Sequence, residues 1–261
     1  MKIIYKLLFL FLLTIGYSSC DFLDIVPDEI TTEADAFKDR NAAKNFVYSC
    51  YGYLPQSNVA SGSLDLLTGD EVITAFEHET FASFPKGNYT ASSPVISYWN
   101  TFFQGLRQCY IFLENVDKVP DLTESVKTDY IAQVKFLIAY YHYQLARCYG
   151  PIILIKELPD VNASQAEYLP RTSYDECVDW ICNLLDEAAS SLPAIRTNKE
   201  DYGLATSVGA KAVKAKMLLY AASPLFNGNS SFYSNFTDKS GSQLMPLTYD
   251  PNKWVKAKTA I

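Results

Sequence analysis

Histidine is almost missing from this chain: only His78 and His142 occur in 261 residues. No H-E-x-x-H, nucleophile elbow, Walker loop or Rossmann glycine pattern is present, so the common metalloprotease, hydrolase and nucleotide chemistries have no motif to rest on. The six cysteines include no C-x-x-C, which argues against a zinc site. Beyond Cys20 five remain, Cys50, Cys109, Cys148, Cys177 and Cys182, and an odd number argues against a disulfide framework. Most fall on apolar helix faces and read as small buried hydrophobes, with a Cys50–Cys109 bridge left open. Basic charge is also short. There are 22 Lys and Arg against 29 Asp and Glu, a net −7, which disfavours partners bound by neutralising phosphates. After the N-terminus no run of 18 uninterrupted apolar residues occurs, so no later segment reads as a membrane-spanning helix.

The N-terminus is a different matter. Lys2 and Lys6 precede an apolar stretch from Leu7 to Ile15, and Gly16 to Ser19 are mostly small. That stretch is too short for a bilayer core and reads as a secretory signal over residues 1–19. It ends in Ser18-Ser19-Cys20, the pattern of a bacterial lipobox, although Tyr17 stands where Leu is usual. Cys20 is therefore the expected lipidation site. Each buried acyl CH₂ contributes about 0.8 kcal/mol, so two or three chains anchor firmly where one does not. The alternative is an ordinary export signal with Cys20 as a plain mature residue.

Hydrophobic periodicity downstream is helical nearly throughout. A first helix is expected over 33–53, opened by a capping arrangement of Thr32 and Asp35 and stopped by Pro55. Residues 56–97 break the pattern with Ser, Thr, Gly, Asn and Pro, and form a long irregular excursion. A second helix is expected over 97–116, with Trp99, Phe102, Leu106, Tyr110 and Leu113 on its core stripe. A third spans 125–149, with Phe136, Tyr140 and Tyr143 adding a second apolar face to the Ile131–Cys148 stripe. Gly150 caps it, and 152–155 is a short extended run. A fourth opens with a Ser173–Glu176 capping box and buries Val178, Ile181, Leu185, Ala188 and Leu192. A fifth covers 205–222 with Val213, Met217 and Tyr220 inward, and a sixth begins near Trp254. The fold class is all-α, a tetratricopeptide-like helix-pair solenoid with a long irregular loop region. The last helix lacks a partner, so residues 20–261 are expected to be the N-terminal part of something longer.

The candidates for chemistry are few. His142 lies in the third helix and reads as a satisfied core group. His78, between Glu77 and Glu79, lacks the further ligands a metal needs, and Asp70-Glu71 are sequence neighbours that point apart rather than across a scissile bond. No catalytic residue, metal site or cofactor is assigned. The lysines of the fifth and sixth helices (Lys211, Lys214, Lys216, Lys253, Lys256, Lys258) read as solvated faces. The sequons at Asn88, Asn162, Asn229 and Asn235 reflect polar loops. Aromatics are abundant, with 19 Tyr, 15 Phe and 3 Trp, and a subset is expected to form stacking surfaces. Phe84 and Tyr89 in the excursion, and Tyr98 at the mouth of the second helix, are the expected ligand-binding residues. The helical aromatics, Trp99 included, are expected to be used in packing.

Five segments carry a family resemblance. They are "CDFLDIVP", "YWNTFFQGLRQCYIFLENV", "YIAQVKFLIAYYHYQLARCYGPIILI", "RTSYDECVDWICNLLDEAASSLP" and "GLATSVGAKAVKAKMLLYAASPLFN". In this order they resemble the N-terminal half of a SusD/RagB-family lipoprotein of Bacteroidota. Gln133 and Ile138 depart from the acidic and Arg residues usual in the third segment, which costs a salt bridge there. The resemblance implies a nonenzymatic, surface-exposed, lipid-anchored protein of the outer membrane. It implies an oligosaccharide or polysaccharide ligand and a SusC-like TonB-dependent transporter as partner, and no nucleic acid. The alternative from the residues alone is a lipid-anchored protein-interaction scaffold without glycan binding; a surface glycosidase ranks third.

Overall fold

The computed structural model describes residues 33–55, 80–160, 162 and 169–261. Cys20, Asp70, Glu71 and His78 lie outside these residues, so the lipidation reading and two of the chemical candidates have no structural counterpart. The chain divides into two units. The first, Met1–Ala36, contributes only the short helix α1 (Glu33–Ala36) to the described residues; the second is Phe37–Ile261.

The second unit is a stack of helices: α2 (Arg40–Tyr51), α3 (Trp99–Asn115), α4 (Glu124–Tyr149), α5 (Tyr174–Ser191), α6 (Ser207–Ala222), the single turn α7 (Ser230–Tyr233) and α8 (Asn252–Thr259). No strand occurs among the described residues. Neighbours in sequence are neighbours in space: α2 on α3, α3 on α4, α4 on α5, α5 on α6 and α6 on α8. The start of α3 meets the end of α4, where the Tyr149 hydroxyl accepts from the Tyr98 amide at 2.9 Å. The pair is therefore antiparallel, as a helix-pair solenoid requires.

Sequence sets most of the helix ends. Thr206 caps α6 by accepting from the Gly209 amide at 3.1 Å. Gly150 ends α4 at φ 71°, a conformation with little steric cost only for glycine. Pro193 and Pro224 follow the ends of α5 and α6, because the residue before proline is pushed out of the helical region.

Two expectations about helix ends are corrected. The first predicted helix is broken, and Asp39 caps α2 by accepting from the Asn41 and Ala42 amides, both at 2.8 Å. An Asx cap inside an apolar-periodic run wins over continuous propensity. At α5 the Ser173 hydroxyl makes no bond to the helix backbone; it lies 3.4 Å from the Glu176 carboxylate instead. The expectation for the cysteines holds: Cys50 and Cys109 are buried free thiols, and burial pushes the Cys109 thiol up.

The core follows the predicted stripes. Phe102, Leu106 and Tyr110 of α3, and Val134, Ile138, Tyr141 and Leu145 of α4, are buried. So are Val178, Ile181, Leu185, Ala188 and Leu192 of α5 and its C-terminus. Each large aliphatic side chain so buried contributes about 1.5–3 kcal/mol. The lysine faces are not simply solvated. Lys214 pairs with Asp186 at 2.6 Å, Lys253 with Asp175 at 2.5 Å and Lys256 with Asp179 at 3.9 Å. The carboxylates of α5 thus face both α6 and α8. The exposed Lys256–Asp179 pair contributes at most about 1 kcal/mol, whereas the Lys253 side chain is only 12% exposed in its pair.

His142 is fully buried, and both ring nitrogens are used. Nδ1 donates to the Ile138 carbonyl at 2.8 Å, and Nε2 accepts from the Ile155 amide at 3.1 Å. The Ile155 carbonyl in turn accepts from the Tyr110 hydroxyl at 2.6 Å. Within the 152–155 run Ile155 is thus held by side chains, while the Ile152 carbonyl accepts from the Thr172 amide at 2.7 Å.

Candidate functional site

The excursion returns to described structure at the single 3₁₀ turn Thr80–Ser83. A tight reversal follows. The Gly87 amide donates to the Phe84 carbonyl at 2.9 Å, and the Asn88 amide to the Ser83 carbonyl at 3.0 Å. Gly87 sits at φ 64°, the left-handed conformation such a turn needs. The reversal brings Phe84 and Tyr89 together, with centroids 5.3 Å apart and planes at 58°. Tyr89 is 51% exposed. Two of the three expected ligand-binding rings thus form one tilted pair on a loop.

Tyr98 is placed elsewhere. Its ring stacks on Phe102 at 5.0 Å and 16°. It lines a cavity of about 370 Å³ together with Tyr51, Phe136, Tyr140, Gln144 and Arg147. Phe136 and Tyr140 lie one turn apart on α4 and stack at 5.8 Å and 22°. Gln144 donates to the Tyr140 hydroxyl at 2.7 Å. The second apolar face of α4 is therefore only half buried at Phe136 and Tyr140, and it lines a hollow instead of a packed interface.

Trp99 is used in packing, as expected. It is half-buried, with Arg171 over its face at 5.2 Å, Tyr149 edge-on at 5.2 Å and Phe103 at 4.9 Å. The Arg171 guanidinium is fixed by the Pro151 carbonyl at 2.7 Å. A guanidinium held over an indole contributes roughly 0.5–1 kcal/mol at such a site.

A second cavity, of about 550 Å³, shares Leu204 with the first and is lined by Tyr48, Tyr130, Lys44, Asp129 and Arg196 among others. A polar network lies between the two. Arg196 grips Asp129 with two bonds of 2.8 and 2.9 Å and also donates to the Ala205 carbonyl. Gln133 donates to Asp129 at 2.8 Å and accepts from the Tyr51 hydroxyl at 3.0 Å, while the Ala205 amide donates to that hydroxyl. Burial pushes the Tyr51 phenol well above its ordinary range, so it stays a donor. Here Gln133 is the buried hub, and the ion pair of this region is made by Asp129 and Arg196. Nothing in the local sequence around Asp129 signals the partner, which lies 67 residues away.

Chemically, these hollows offer ring faces with amide, hydroxyl and guanidinium edges. That suits a ligand with apolar C–H faces and a rim of hydroxyls. No group of three or more His, Cys, Asp or Glu arranged to hold a metal ion occurs among the described residues.

The fold places the chain among all-α helix-pair proteins. Residues 21–219 match a family model described as "Starch-binding associating with outer membrane", and the chain belongs to this SusD-like family. A curated relative, the SusD-like protein P25 of Formosa agariphila, is 23% identical over 230 residues, covering 83% of this chain and 43% of its own. The solved protein BT4246 is 35% identical with a TM-score of 0.78, over 85% of this chain and 39% of that one. A solved laminarin-binding SusD-like protein, 21% identical with a TM-score of 0.60, covers 71% of this chain and 41% of that one. The chain therefore spans about two-fifths of the length of these relatives.

Proposed function

We propose that this protein captures glycans at the outer surface of the cell, without turning them over, and passes them to a SusC-type TonB-dependent transporter for import. What carries the reading is the match over 21–219 to a family described as starch-binding and associated with the outer membrane. The laminarin-binding neighbour agrees in ligand class. The transporter partnership rests on the family resemblance. The lipid anchor at Cys20 rests on the leader that precedes it.

Phe84, Tyr89 and Tyr98 are the proposed ligand-contacting rings. Stacking of one ring contributes on the order of 1 kcal/mol, by analogy with aromatic pairs, so useful affinity needs several. Affinity electrophoresis in laminarin and soluble starch should retard the protein, and the triple Phe84→Ala, Tyr89→Ala, Tyr98→Ala variant should lose at least tenfold in affinity. Undiminished retardation of a folded triple variant would remove these rings from the site. A wild-type protein that ignores every polysaccharide in a broad panel would favour the scaffold reading. Reducing ends accumulating with time would make it an enzyme.

The anchor is tested separately. Cys20→Ala should move the protein from the membrane to the soluble fraction. A wild-type N-terminus carrying no acyl mass would end the lipoprotein reading.

A further inference from the structure

Residues 229–237 read Asn-Ser-Ser-Phe-Tyr-Ser-Asn-Phe-Thr: three rings among hydroxyls and amides, with no charged side chain. In the structure the rings form a ladder. Phe232 and Tyr233 have centroids 6.3 Å apart, and Tyr233 and Phe236 6.1 Å apart. Phe232 is 75% exposed, so packing within the described residues does not account for it. Together with Ser231, Ser234 and Asn235 the rings line an open hollow of about 440 Å³.

This ladder stands on a fixed backbone. The Asn227 side chain, 3% exposed, donates to the Asp250 carbonyl and accepts from the Asp250 amide, both at 2.9 Å. That closes the base of the loop. The Asn229 side chain accepts from the Phe232 amide at 3.2 Å and caps the turn that carries the rings. Gln243 donates to the Tyr233 carbonyl at 2.7 Å, and the Leu244 amide to the Phe236 carbonyl at 3.1 Å. The Leu244 carbonyl accepts from the Tyr174 amide at 2.8 Å, which ties the loop to the start of α5. Rings presented this way lose little freedom on binding, which lowers the cost of association.

We infer that residues 231–236 form a second saccharide site, separate from the Tyr98 cavity and selective for neutral glycans. The inference rests on the glycan-binding reading above and adds a location and a ligand class. Pyranose rings present C–H faces to aromatic side chains and hydroxyls to Ser and Asn. Without a charge in the lining, a phosphate, sulfate or uronate gains no pairing there, and an acidic or basic peptide finds no complement.

The test is calorimetric titration of the protein with laminarihexaose and maltohexaose, and with a polygalacturonate oligomer as the anionic control. Phe232→Ala should weaken binding of at least one neutral hexasaccharide fivefold or more, with an unchanged melting temperature, because the exposed ring makes no hydrogen bond. Phe232→Trp should keep or tighten that binding, an outcome a merely structural role would not give. Should Phe232→Ala lower the melting temperature, the Trp variant alone decides: a fivefold loss there overturns the site. Wild-type binding that both variants leave unchanged also overturns it while the glycan-binding reading stands. Tighter binding of the uronate, weakened by Phe232→Ala, overturns the neutral selectivity. Wild-type binding to neither neutral hexasaccharide overturns this site, and the broader polysaccharide panel then decides the general reading.

Discussion

Gly228→Ala should cost on the order of 3 kcal/mol or more, read as a lower urea midpoint. Gly228 holds φ 79°, and a Cβ there would lie 2.3 Å from the Tyr249 amide nitrogen, 2.6 Å from its Cα and 2.7 Å from the Thr248 carbonyl carbon. All three are backbone atoms and have no rotamer to escape into. Gly241 is the matched control. Its φ is 86°, yet nothing lies within 4 Å of a Cβ built on it. Gly241→Ala should therefore show only the intrinsic cost of the left-handed conformation, about 1–2 kcal/mol. Equal losses in the two variants would refute the close-approach argument and leave backbone conformation as the whole effect.

The second large effect is acid sensitivity through His142. Burial lowers this imidazole from its ordinary 6.5 to about 4. The unfolded chain therefore takes up the proton more readily than the folded one. The sign follows directly: the contribution to stability is full above pH 6.5, is lost as pH falls toward 4, and is constant below that. A tenfold difference in proton affinity is worth about 1.4 kcal/mol, so the interval corresponds to about 3 kcal/mol. His142→Gln keeps an acceptor for the Ile155 amide but does not titrate. Carboxylates contribute to both proteins, so the difference between their stability–pH curves isolates the imidazole. Wild type should fall faster than the variant between pH 6.5 and 4; parallel curves would sink the argument.

Much of the helix stack is legible in sequence, for a physical reason. The five predicted residues of the α5 stripe are all buried because one face meets α4 and α6 and the other meets water. The family, too, can be read from five segments in order. What periodicity does not carry is whether a neighbour covers an apolar face. Phe136 and Tyr140 have the spacing of core residues, yet they line a cavity. Trp99 follows the α3 stripe and is covered, but over its face by a cation, Arg171, that the stripe does not announce. Nor does it show long-range pairing: Arg196 reaches Asp129, and Lys253 reaches Asp175, across spans no local pattern marks. The break before α2 is different. Asp39 was a readable cap, but an uninterrupted apolar period concealed it. The ring ladder at 232–236 was also present in sequence as an uncharged aromatic run, without the periodicity that marks an element.

The side chain of Asn227 closes a ring, and that ring has an evolutionary consequence. Closure entropy grows only with the logarithm of length, so doubling a loop costs about 0.6 kcal/mol. With its base fastened at Asp250, its rear at Tyr174 and Leu244 and Met245 buried in the core, only the tip over 229–242, which holds no buried residue, is an appendix to the stack. Residues there can be exchanged, lengthened or shortened while the helices keep their register. Selection can then revise what the tip recognises without first accumulating stabilising changes elsewhere.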